Sequence, residues 1–307
     1  MTVVCCWFDQ SYARKRITAI ADSRASREEN KKWVPLQEST LKIIKVRVAC
    51  HHAGSLDTST GRWPSPYAET ELGLCFAGYC FEALSIAALF QKCVEQLVLD
   101  GGATVLPDPW RLADLLREIS ARYFRTHSNP ANQKVSFLLF GFSQKDGQPW
   151  VAKVTHTPDE GAKLAQWEYP TRPESIFTAG DVGVDIAARV QDVRNRIARH
   201  ADGLDPRKFA DRFAYDLEGA RHHLGDKKQV ESVALKEMDN ILRDTVGGVL
   251  QKAELFRLED NRAALAFCRD DRIDLLDGLP DVAPNLGFIP VVERMGDTPQ
   301  AVPEDAK

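Results

Sequence analysis

From residue 2 the chain alternates short apolar runs with polar breaks. Thr2-Val3-Val4-Cys5-Cys6-Trp7-Phe8 is β-branched and aromatic, a polar turn follows at Asp9-Gln10-Ser11, and Ile17-Thr18-Ala19-Ile20-Ala21 resumes the pattern. This predicts a strand pair beginning at residue 2. A polar segment runs to Thr40, after which Leu41-Lys42-Ile43-Ile44-Lys45-Val46-Arg47-Val48 alternates as a half-buried strand does. Cys50 to Glu71 is rich in Gly, Ser, Thr, Pro and His without apolar periodicity and reads as a long loop. Leu72 to Ala77 is a further strand, ending at Gly78.

Phe81, Leu84, Ala87, Ala88, Cys93 and Leu97 then recur at helical spacing up to a stop at Gly101-Gly102. A second helix is expected from about Asp108 to Arg125, with Leu112, Leu115, Leu116, Ile119 and Tyr123 on one face. Strands return at Val135–Gly141 and Trp150–Val154, joined by the hairpin signal Lys145-Asp146-Gly147. Edge strands are expected near Leu164–Tyr169 and Ser175–Ala179, helices at about 184–200, 206–224 and 229–243, and closing strands at 248–258 and 263–267. Strands, two helices, strands, helices, strands fit an α+β fold: two sheets face to face with helices on each outer side, a four-layer αββα sandwich. One domain over 2–280 and a Pro-rich tail over 281–307 are expected.

Composition narrows the function classes. The 307 residues are 44% hydrophobic and 27% charged, with a formal net charge of −4. There is no basic field of the kind that drives nucleic-acid binding, so nucleic acid is not an expected partner. The longest apolar stretch, Leu72 to Leu99, is broken by Glu82, Gln91, Lys92 and Glu95, so no membrane span is expected. Arg14, Lys15 and Arg16 follow the first apolar stretch rather than precede it, unlike a secretory signal, and Met1-Thr2 is read as the true start. Seven cysteines without a CxxC pair read as small core residues in a reducing compartment, the cytoplasm. The pairs His51-His52 and His222-His223 lack carboxylates or thiolates at ligand spacing, and no nucleotide-binding motif occurs, so neither a metal nor a cofactor is expected.

Candidate chemistry begins at the second residue. Removal of Met1 leaves Thr2 with a free α-amine beside its hydroxyl, and such an amine can act as general base for its own side chain. The stretch Ile17-Thr18-Ala19-Ile20-Ala21-Asp22-Ser23-Arg24-Ala25-Ser26, together with Lys42-Ile43-Ile44-Lys45-Val46 and Ala77-Gly78, resembles the proteasome β-subunit family of N-terminal-nucleophile (Ntn) hydrolases, in particular its simpler bacterial homologues. The resemblance implies that Asp22 orients a catalytic lysine, that Lys42 is that lysine, and that the Gly78 backbone N–H serves the oxyanion. By residue type alone, Asp22 also suits a turn after a strand and Gly78 a tight strand-to-helix connection. Lys42 and Lys45 have opposite parity, so only one faces the site.

Toward the C-terminus, Arg243-Asp244-Thr245-Val246-Gly247-Gly248 keeps the Asp and final Gly of the family's Asp-x-x-Ser-Gly but has Gly247 in place of Ser. Asp244 is the candidate for supporting the N-terminal amine, a helix-end carboxylate of no catalytic consequence being the other reading. The family's Gly-Ser-Gly turn is altered to Thr178-Ala179-Gly180-Asp181. The resemblance covers most of residues 2 to 268, with insertions at about 10–16, 50–70 and 200–226. It implies a threonine peptidase acting on peptide or protein, a homo-oligomeric ring, and any ATP dependence supplied by a separate unfoldase. Two alternatives stand beside it: a small-molecule amidase whose cleft is filled by the Cys50–Glu71 loop, and an inactive proteasome-like subunit, favoured by the two missing serines.

Overall fold

The computed structural model describes residues 4–9, 16–30, 32–37, 40–98, 106–126, 134–168, 176–180, 251–258, 262–268, 275–276 and 279–280. β1 (Val4–Asp9) pairs antiparallel with β2 (Arg16–Ala21), Val4 opposite Ala21. β3 (Ala25–Glu29) and β4 (Lys32–Gln37) form a separate hairpin within the segment whose polar pattern suggests no strand. β5 (Ile43–His51) and β6 (Ala68–Gly78) pair over most of their length, so the expected 50–71 loop shortens to residues 52–67. α1 (Cys80–Val94) ends before the expected Gly101-Gly102 stop, and β7 (Leu97–Val98) pairs parallel with the end of β5.

α2 (Pro109–Arg125) starts where a cap and a proline coincide. Asp108 Oδ1 accepts from the Trp110 N–H at 2.9 Å, and Pro109 occupies the first turn, where its missing N–H costs nothing. β8 (Val135–Phe142), β9 (Pro149–Thr157) and β10 (Gly161–Glu168) follow as a meander. The β8–β9 turn is closed by the Gly147 N–H donating to Ser143 O at 2.7 Å. β11 (Ile176–Ala179), β12 (Gln251–Arg257), β13 (Ala263–Cys268) and the short pair β14 (Leu275–Leu276) and β15 (Leu279–Pro280) complete the described elements.

Two sheets result, one ordered β11-β1-β2-β12-β13 and the other β10-β9-β8-β6-β5-β7. Alternation along the strands assigns their faces. Val46, Leu74, Phe76, Phe137 and Trp150 of the larger sheet pack with Ile86, Phe90 and Leu116 of the helices. The opposite parity, including Ile43, Cys75, Leu138 and Phe140, packs with Val4, Ile17, Ala19 and Leu255 of the smaller sheet. Within the larger sheet, the ring of Phe140 in β8 lies over its cross-strand partner Gly73 in β6, where a Cβ would stand 2.1 Å from it.

The described residues thus form an α+β fold in three layers: α1 and α2, the six-stranded sheet, and the five-stranded sheet. The helices expected over 184–243, which supply the fourth layer of the αββα expectation, lie outside the described residues, as does the tail over 281–307. Among the described residues no helix is long and apolar enough to cross a membrane.

Candidate active site

The ends of three strands converge on one place. Asp22 directly follows β2, Lys42 directly precedes β5, and Gly78 closes β6 before α1. The Phe76 N–H donates to Lys42 O at 3.2 Å, holding the start of β5 beside the end of β6, and the Thr40 N–H donates to Ser23 O at 2.8 Å, holding it beside the residue after Asp22. Lys42 Nζ lies 3.1 Å from Asp22 Oδ1 and also donates to the Arg24 carbonyl. The Lys42 side chain is 0% exposed and that of Asp22 9%. An ammonium so buried is tolerable only with an opposite charge and further acceptors in place, and both are present.

The segment before β5 is held from the other sheet by Gln251, the first residue of β12. Its Oε1 accepts from the Lys42 N–H at 2.8 Å and from the Ile43 N–H at 3.3 Å, and its Nε2 donates to Thr40 O at 2.6 Å. Sequence reasoning does not find Gln251. A glutamine opening an apolar strand carries no motif, and its partners lie more than 200 positions away in the chain.

Gly78 has φ +114°, a conformation that L side chains rarely adopt, and a Cβ there would lie 2.3 Å from Lys134 O. Only glycine lets β6 break into α1 while the adjacent Tyr79 N–H donates to the same Lys134 O at 3.2 Å. The N-terminus of a helix favours developing negative charge nearby. Cys80, the first residue of α1, sits near enough to the pair to sense it. Burial pushes its thiol up, Lys42 opposes that shift and Asp22 adds to it.

Of the other sequence candidates, Lys45 pairs with Glu71 at 3.3 Å at a partly exposed position. Thr178 lies in β11 opposite Cys5. Thr2 and Asp244 lie outside the described residues. The 52–67 loop leaves the far end of β5 from Lys42. Eight steps of strand separate Ile43 from His51, roughly 26 Å at ~3.3 Å per residue, so the loop does not line the place where Lys42, Asp22 and Gly78 meet. Against it His51, the last residue of β5, packs on Trp63 with ring centroids 5.1 Å apart, and within it His52 packs on Tyr67 at 4.6 Å. Among the described residues, no group of three or more His, Cys, Asp or Glu side chains is placed to hold a metal ion. Cys5, Cys6, Cys50 and Cys75 are buried, and burial pushes the Cys5 thiol up to about 12, which removes it as a nucleophile.

Fold and site together define an α+β protein of two stacked sheets with a buried lysine–carboxylate pair where strand ends meet. No protein-family model matches the chain, and no curated protein does. Among solved structures it is similar to Anbu from Hyphomicrobium sp. strain MC1, at 15% identity over 88% of this chain and 89% of that one, with a TM-score of 0.42. It is also similar to Anbu (ancestral beta-subunit) from Yersinia bercovieri, at 16% identity over 86% of each chain and the same TM-score of 0.42. Likeness at this level carries neither membership of a family nor an activity.

Proposed function

We propose that this chain is a threonine-type peptidase of the proteasome β-subunit kind, with Thr2 as nucleophile after removal of Met1. One observation supports the reading above others: the buried Lys42–Asp22 pair stands at the end of β2 where β1 begins. Val4 pairs with Ala21, the neighbour of Asp22, and two residues of chain reach at most about 7 Å. The reading requires a chain end at position 2 to lie beside the pair, and that reach allows it.

In the proposed reaction the α-amine of Thr2 takes the proton from its own Oγ, which bonds to the scissile carbonyl carbon as the π electrons move to oxygen. The Gly78 N–H and the positive end of α1 stabilise that oxyanion, and the Lys42 ammonium, oriented by Asp22, lowers the cost of charge on Oγ. Collapse of the intermediate breaks the C–N bond, and the departing amine takes the proton held by the α-ammonium. Water, deprotonated by the same α-amine, then cleaves the ester and restores Oγ–H. Asp244 is assigned the support of the α-amine. The scheme draws on no metal or cofactor.

The reading includes an Ntn-hydrolase domain over 2–280, a fourth layer of helices, a cytoplasmic setting, a homo-oligomeric ring, and a separate ATPase where clients need unfolding. Two features favour parts of it. Cys5, Trp7, Thr18 and Ile20 face away from the larger sheet yet are buried, as a covering layer requires. Phe81, 74% exposed on α1, is a large apolar side chain left open to another copy. The amidase alternative loses the support of a cleft-filling loop, because residues 52–67 leave the opposite end of β5. The inactive-subunit alternative keeps its support, Gly247 and Ala179 standing where the family has serines.

The test is covalent labelling with an epoxyketone, which closes a ring on both the amine and the hydroxyl of an N-terminal threonine. Wild type should take up one equivalent and Thr2→Ala none. Equal labelling of the two proteins contradicts the mechanism.

A further inference from the structure

We infer that Gln251 is a positioning residue of this site, fixing the backbone from which Lys42 reaches Asp22. The inference rests on the reading of Lys42 and Asp22 as catalytic. Gln251 is the Cα partner of Ala21, so it sits in the strand beside the one that delivers Asp22. It shares the parity of Ala253 and Leu255 and so points between the sheets. There its one amide meets three backbone groups: Oε1 takes the N–H of Lys42 and of Ile43, and Nε2 gives to the carbonyl of Thr40.

That pattern is specific to an amide. Two converging N–H groups need an acceptor and the adjacent carbonyl needs a donor; a carboxylate lacks the donor, an ammonium lacks the acceptor, and an aliphatic chain lacks both. Gln251 is itself buried, 4% exposed, which leaves little access for water to replace it. Lys42 is consequently held at both ends of a four-carbon stem. Its N–H goes to Gln251 and its carbonyl to the Phe76 N–H, while its ammonium goes to Asp22 and the Arg24 carbonyl. With both ends fixed, Nζ has one position. A displacement of about 1 Å at a reacting site typically costs ~10²-fold in rate.

Two variants test this through the limiting rate of epoxyketone labelling, taken relative to wild type at each pH. Gln251→Leu fills similar space without polar atoms. Gln251→Glu reproduces the amide's acceptor and donor only while its carboxyl is protonated. The expected results are a loss of about 100-fold in limiting rate for Gln251→Leu, with the half-saturating concentration unchanged. Gln251→Glu should match wild type near ~pH 5 and fall toward the leucine variant as the carboxyl ionises. A volume-filling role moves neither comparison: unchanged rates in Gln251→Leu, or a pH-independent ratio for Gln251→Glu, overturn the inference.

If wild type is not labelled at all, the catalytic reading fails, and acylation of Lys42 by acetic anhydride, mapped by peptide mass spectrometry, then decides the positioning role separately. Gln251→Leu should raise Lys42 acylation about tenfold by opening the segment locally. Unchanged protection overturns the inference. Should Gln251→Leu fail to fold, the same comparison of protection is made on Gln251→Glu above and below its carboxyl titration.

Discussion

The ammonium of Lys42 is out of water, and its energetics are those of a buried pair. Desolvation of both charges consumes much of the attraction, but removing one partner strands the other, at a cost of typically ~3–5 kcal/mol. Lys42→Met should therefore lower unfolding stability in urea by about 3 kcal/mol, because the buried Asp22 carboxyl loses its cation. Adding Asp22→Leu to that variant should restore part of the loss. A double variant less stable than the single one would show that the pair is not the coupled unit described. At this scale legibility was uneven: Asp22 and Lys42 stand in short contiguous motifs, whereas Gln251 acts across the sheets on backbone groups 208 to 211 positions away, where residue type conveys nothing.

Elements show a similar division. α2 was readable because a capping Asp108, Pro109 and a periodic apolar face agree. The start of β6 was not, because Glu69-Thr70-Glu71 resembles loop sequence. In the fold these side chains are committed: Glu69 pairs with Arg47 and Glu71 with Lys45, while Thr70 and Glu71 accept the Ala263 and Leu265 N–H groups of the edge strand β13. Polar residues there satisfy a sheet edge rather than meet solvent. The β3–β4 hairpin is illegible for the opposite reason: Pro35, Leu36 and Gln37 of β4 are exposed in succession, so that stretch carries no alternation of buried and exposed positions. Gly78 joins element to site. Gly78→Ala forces a side chain into φ +114° against Lys134 O, and should cost about 2 kcal/mol of stability in a denaturant titration. It should also slow epoxyketone labelling by ~10²-fold or more, since the N–H it carries moves. A fully active, fully stable alanine variant would exclude Gly78 from the oxyanion role.

At the scale of the whole molecule, the arrangement that matters is the convergence of the ends of β2, β5 and β6 where β1 starts, with the 52–67 loop at the other end of β5. The alternation of strand groups with a helix pair made the α+β class legible. The sheet order β10-β9-β8-β6-β5-β7 was not, because it depends on which buried faces meet and not on any local pattern. The proposed chemistry requires one further feature of the chain as a whole, that it begin with threonine. Intact-protein mass spectrometry before and after epoxyketone treatment reads this directly. The account predicts a chain lighter by one methionine that gains a single adduct mapped to Thr2. Uniform retention of Met1, with no adduct at residue 2, would contradict it.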